Sequence, residues 1–86
     1  MIIYYSDSFR RDFKGLPKPI QKITEKKLKI FANNPRYPSL RVKKMEGTAD
    51  IFEGSITKNY RFTFQISGAT YTLRRTGTHD ILKKEN

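Results

Sequence analysis

The sequence predicts an α+β domain of order β-α-α-β-β-β, with an antiparallel sheet packed on one face by a two-helix hairpin. Three observations carry this. Two apolar stripes at helical spacing fill the segment before Asn34. Period-2 alternation takes over after Ser39. The later runs are separated by turns too short for anything but antiparallel neighbours.

The elements follow in order. "IIYY", residues 2–5, is β-branched and aromatic and reads as an opening strand. In "SDSFRRDFKGLP", Ser6 suits a helix N-cap, and Phe9, Phe13 and Leu16 recur at i, i+4 and i+7. Gly15 and Pro17 end that helix. Pro19 fits the first turn of a second, with Ile20, Ile23, Leu28 and Phe31 expected on its inner side and "NNP" at 33–35 stopping it. Strands are expected over 40–45 ("LRVKKM"), 51–57 ("IFEGSIT"), 60–66 ("YRFTFQI") and 69–75 ("ATYTLRR"). Glu46-Gly47, Lys58-Asn59 and Ser67-Gly68 supply the turns.

Alternation assigns the faces. Tyr60, Phe62, Phe64 and Ile66 share one side with Phe52, Gly54, Ile56, Tyr71 and Leu73. The helical hairpin must cover that side, since neither layer hides its apolar stripe alone. The opposite face is left open and polar, carrying Glu53, Arg61 and Arg74, with His79 just beyond the last strand. Arg75, of opposite parity, is expected at the sheet's edge.

Size and composition bound the function. The 86 residues form a single domain over 1–86; a chain of this length buries roughly 60–65% of its unfolded surface. With no cysteine, disulfides, thiolate metal sites and cysteine nucleophiles are excluded. One histidine and eight scattered carboxylates argue against a resident metal, and no cofactor is expected. No apolar run approaches a signal-peptide core or a membrane span, so a cytoplasmic setting without membrane contact is expected. The net charge is +10. Twelve of the basic groups against three acidic ones fall in residues 1–44, and six against five in residues 45–86. Such an excess fits a nucleic acid or an acidic protein as partner.

"LRVKKMEG", "IFEGSITKNYRFTF" and "LRRTGTHD", with an "NP…PSL" entry and the element order, resemble the RelE/ParE superfamily of bacterial toxin–antitoxin toxins. The likeness spans essentially the whole chain and is greater to the ribonuclease branch that includes RelE, YoeB and YafQ. It implies a RelE-like fold and a type II toxin that enters the ribosome and cleaves mRNA, inhibiting translation. It also implies a cognate antitoxin, and operator DNA bound indirectly through that antitoxin. Arg61 in "YRFTF" matches the family arginine near the scissile phosphate, and His79 in "GTHD" matches its C-terminal acid/base histidine. By the same analogy Lys43 and Lys44, on the basic strand, would bind RNA phosphates; Arg74, on the open face by parity, is expected as a second phosphate ligand, with Arg75 counted beside it. The middle strand departs from the pattern: Phe52 stands where YoeB-like members have Trp, and Ser55 where they have Arg. The further histidines and the aspartate of the YafQ site have no counterpart.

Metal-free RNA cleavage needs a base for the ribose 2′-hydroxyl, positive charge at the crowded phosphorus, and an acid for the departing 5′ oxygen. Histidine suits either proton-transfer role, since an unperturbed imidazole titrates at about pH 6.5. His79 is the candidate acid or base, with substrate contact or a surface role as alternatives. Arg61, a planar fork of donors on the open face, suits a phosphate, the alternative being an ion pair with Glu53. Glu53 is on the correct side to act as base, or it merely orients an arginine. The lysines of the helices are either a solvated face or a salt-dependent contact to ribosomal RNA. Tyr37 is the one loop aromatic placed to touch a base or the antitoxin. Two rivals keep the fold without cleavage: a ParE-type inhibitor that binds DNA gyrase, and a degenerate toxin that only binds RNA or antitoxin.

Overall fold

The computed structural model describes residues 1–48 and 50–84. Its elements are β1 (Ile2–Tyr5), α1 (Asp7–Lys14), α2 (Lys18–Asn33), a 3₁₀ turn (Pro38–Leu40), β2 (Lys43–Lys44), β3 (Ile51–Ser55), β4 (Tyr60–Ser67), β5 (Thr70–Thr78) and α3 (Asp80–Lys84). Ser6 caps α1 as its sequence suggests: its hydroxyl accepts the Phe9 N–H and donates to the Arg74 carbonyl, tying the helix start to β5. Gln21 donates through its amide to the carbonyls of Phe13, Lys14 and Leu16, satisfying the end of α1 from the neighbouring helix.

The strands form one sheet in the order β1-β5-β4-β3-β2. The β2–β5 meander is antiparallel, as its short turns require. The first strand differs from the all-antiparallel expectation: β1 lies parallel to β5, Ile2 opposite Thr70 and Tyr5 opposite Leu73. The helical hairpin between β1 and β2 is the long connection that allows this. The five strands match the five expected segments, but the 40–45 strand contracts to two residues behind the 3₁₀ turn. The chain adds a short C-terminal helix where only a turn and a few residues were expected.

The core lies between the hairpin and one sheet face. Phe9 of α1 and Leu28 and Phe31 of α2 meet Ile56, Phe62, Phe64 and Leu73, with Leu40 closing one end. Phe31 stands edge-on to Phe62 and Phe64, with ring centroids 5.4 and 4.8 Å apart, an arrangement that the ring quadrupoles favour. Gly54 is required beneath Phe62, its register partner, since a Cβ there would lie 2.4 Å from the ring. Ile23 does not join this core and is exposed. The buried stripe of α2 is Thr24, Leu28 and Phe31, at i, i+4 and i+7, and Ile23 falls to one side of it. Thr24 is tolerated inside because its hydroxyl donates to the Ile20 carbonyl.

Candidate functional site

The open face is built by the β3–β4–β5 ladders. Ser55 pairs with Arg61, Glu53 with Thr63, and Gly77 with Arg61 from the other side, so Glu53, Ser55 and Arg61 stand on one surface. Arg61 does not pair with Glu53. Its Nη1 donates to Ser55 Oγ at 3.1 Å, to the Tyr60 carbonyl at 3.2 Å and to the Thr57 carbonyl. Ser55 Oγ in turn donates to the Thr57 carbonyl. One nitrogen thus anchors the guanidinium on the β3–β4 turn, and the side with Nε and Nη2 makes no hydrogen bond among the described residues. That side is the fork that meets two oxygens of a phosphate. The turn is held by Thr57, whose Oγ1 accepts the N–H groups of Asn59 and Tyr60.

A β-bulge reshapes the second half of β5. Thr63 pairs with Arg75 but Phe64 with Leu73, so Arg74 is the extra residue. Arg74 stays on the open face, donating to Gln65 Oε1 at 3.2 Å. The residues beyond it change parity. Arg75 now lies opposite Thr63 and its guanidinium reaches the β5 edge, where it is bound in two places by Asp12 of α1, at 2.6 and 3.1 Å. Asp12 also accepts the Thr76 N–H, sealing the edge of β5 just where β1 has ended.

His79 is exposed and links β5 to α3, its carbonyl accepting the Leu82 N–H at 3.0 Å. The helix then folds back over the open face. A Cβ on Gly77 would lie 3.0 Å from Ile81 Cγ2, and Ile81 is only 6% exposed. Gly77 and Arg61 are register partners, so α3 forms a wall at the end of the face that Arg61 occupies. Glu53, half-buried, makes no hydrogen bond or ion pair among the described residues and stands one same-face position from Ser55, about 6.6 Å along the strand. Lys43 lies opposite Glu53, while Lys44 lies opposite Phe52 and so belongs to the other face.

The predicted residues therefore divide. Arg61, Glu53, Arg74 and Lys43 share the open face, and His79 stands at its end. Arg75 is held by Asp12, and Lys44 faces away. Ser55, Thr57 and Asp12 position this site; Thr57 and Asp12 were not singled out from the sequence, and Ser55 only as a departure from the family pattern. Ser55 was readable, since a tight turn at Lys58-Asn59 sets it opposite Arg61; the Asp12 contact spans 63 residues and leaves no local trace. No group of three or more His, Asp or Glu side chains able to hold a metal ion occurs among the described residues.

The fold is the one seen in solved toxins of toxin–antitoxin systems, among them YafQ, YoeB and RelE-type structures. The chain resembles YafQ from E. coli strain BL21(DE3) at 18% identity and a TM-score of 0.78, over 93% of this chain and 94% of that one. It resembles the YoeB/ParE toxin of Agrobacterium tumefaciens at 15% identity and 0.76, over 92% and 99%. The RelB–RelE antitoxin–toxin complex of Methanococcus jannaschii matches at 20% and 0.74, over 96% and 98%. A scan against protein-family models and a search of curated proteins each found no match.

Proposed function

We propose that this chain is the toxin of a type II toxin–antitoxin system and an mRNA endoribonuclease acting at the ribosome, its RNA held on the open sheet face. The observation that supports this most is Arg61, fixed through one nitrogen with its phosphate-binding side unengaged, on the face that His79 borders. RNA would be cleaved without a metal. Glu53 takes the proton of a ribose 2′-hydroxyl as that oxygen bonds to the adjacent phosphorus. Arg61 balances the charge gathering on the phosphoryl oxygens. His79 protonates the 5′ oxygen as its bond to phosphorus breaks, leaving a 2′,3′-cyclic phosphate and a 5′-hydroxyl. Arg74 and Lys43 supply further charge along the strand. Arg75 serves through Asp12 to hold the end of β5 against α1.

The partner in this reading is an antitoxin. The RelE-type neighbour from M. jannaschii was solved with its RelB antitoxin, and a toxin with a charge of +10 suits an acidic one. Operator DNA would be reached through the antitoxin. The cytoplasm is the setting the reading requires, and no helix among the described residues is long and apolar enough to cross a membrane.

Primer extension on mRNA in a translating extract tests the proposal. Wild type is expected to give discrete cleavages, and Arg61→Ala and His79→Ala to lose them by about a hundredfold or more each while still binding antitoxin. Arg61→Lys, which keeps the charge but loses the fork, is expected to remain severely impaired. No cleavage by wild type, or full cleavage by His79→Ala, sinks the nuclease reading.

A further inference from the structure

A second concave site lies on the other side of the sheet, where the helical hairpin stops short. The loop after α2 and strand β2 enclose a cavity of about 400 Å³ there, within the roughly 300–1,000 Å³ of pockets that hold a small molecule. Its floor is a row of three rings across β3, β4 and β5. Phe52 and Phe64 stack with centroids 5.4 Å apart and planes 14° apart; Phe64 and Tyr71 follow at 6.1 Å and 23°. Phe31 backs this row edge-on. Phe52 and Tyr71 keep part of their surface exposed.

The rim is cationic. Arg36, Arg41 and Lys44 line the cavity, Lys43 borders it from the strand whose side chain belongs to the open face, and no carboxylate lines it. Their side chains make no hydrogen bond or ion pair among the described residues, whereas Arg75 is neutralised by Asp12 and Arg61 is tied to its turn. Arg41 also has an unusual backbone. At φ 48° it is the one non-glycine residue with positive φ among the described residues, a conformation that L residues other than Asn and Asp seldom adopt. Holding an arginine there presents its side chain at the mouth of the cavity.

We propose that this pocket binds a nucleotide unit, the base against the exposed parts of Phe52 and Tyr71 beside buried Phe64 and the phosphate at Arg36 and Arg41. Partly exposed aromatic carbon below and unpaired cations above complement a ligand that is planar at one end and anionic at the other. The site is separate from the open face and does not rest on cleavage there. The nucleotide could be free or the end of an RNA strand.

The test is an NMR titration of the full chain in 150 mM salt with AMP, inorganic phosphate and a 5′-phosphorylated RNA trinucleotide, following the side-chain signals of Phe52, Ile66 and Tyr71. AMP is expected to shift these signals saturably, and inorganic phosphate to leave them in place. The double variant Arg36→Ala/Arg41→Ala is expected to weaken AMP binding about tenfold or more, with an unchanged circular dichroism spectrum. A trinucleotide that binds more tightly than AMP at the same signals supports the site with an RNA end as its source; equal affinity supports it with the free nucleotide. The proposal is overturned if AMP shifts only the helical lysines, if phosphate alone reproduces the shifts, or if the double variant binds as well as wild type. It is equally overturned if an acidic peptide bearing phenylalanine saturates these signals and AMP does not, which assigns the pocket to a protein partner.

Discussion

Arg61 and Gly54 stand on neighbouring strands, one on each face of the sheet, and each depends on what its register partner leaves available. Arg61 needs Ser55, short enough to accept its Nη1 and pass a hydrogen bond on to the Thr57 carbonyl. A long basic residue at 55 would occupy the space the guanidinium now uses. Gly54 leaves room for the Phe62 ring, which is fully buried and has no direction in which to retreat. Gly54→Ala is expected to destabilise the fold by about 2–3 kcal/mol, lowering the melting temperature by roughly 8–20 °C, as measured by circular dichroism. A shift under two degrees would mean that the ring moves freely. Alternation made both assignments readable, because faces follow from parity once the turn is fixed. Parity failed at Arg74, where the bulge inserts a residue and moves Arg75 to the other register. No residue type in "TLRRTG" announces a bulge; it is fixed by Asp12 and Ser6, which bind Arg75, Thr76 and the Arg74 carbonyl from far along the chain.

Among the elements, α3 is the one most dependent on tertiary contact. Five residues are far too few to form a stable helix in water, so its existence rests on Ile81 packing over Gly77. This is also why it was not legible in the sequence: "DILKKEN" shows a single apolar pair and no period, whereas α1, α2, β4 and β5 each carry a repeat long enough to read. Replacing Ile81 with Ala removes most of that packing. The Leu82 amide, bonded to the His79 carbonyl at 3.0 Å, is expected to lose its protection from hydrogen exchange, while amides in the β4–β5 ladder keep theirs. Retained protection at Leu82 would show that α3 is held by something other than Ile81. The expected strand at 40–45 shrank for a related reason. Pro38 and the left-handed Arg41 turn the chain through a 3₁₀ corner, leaving two residues to pair with β3.

For the whole molecule, the dominant quantity is the charge of +10 on 86 residues. Twelve of the eighteen basic groups precede Met45, placing most of them on the hairpin and the loop that follows it. Few carboxylates compensate them, and Asp12 is already committed to Arg75. Mutual repulsion within a Debye length, about 30 Å at 10 mM salt and 8 Å at 150 mM, therefore opposes folding most strongly in dilute buffer. The melting temperature of the free chain is expected to rise by several degrees between 10 and 300 mM sodium chloride, and calorimetry at the two salts reads it directly. A polyanionic partner should produce a larger rise at low salt and a smaller one at high salt. A melting temperature that falls with salt would show that attractive pairs outweigh the repulsion.

The parallel pairing of β1 with β5 also orders events in time. Among the described residues β1 finds its strand neighbour in residues 70–73, far later in the chain, and the hydroxyl that caps α1 waits for the carbonyl of Arg74. Until then β4 has no inner neighbour, Asp12 has no arginine, and the face that carries Arg61 lacks its final wall. A nascent chain that has not reached Thr70 therefore holds no finished open face, and one that stalls before that residue never acquires it. Contacts of such long sequence separation form slowly, so the open face is completed in a single late step rather than growing by degrees.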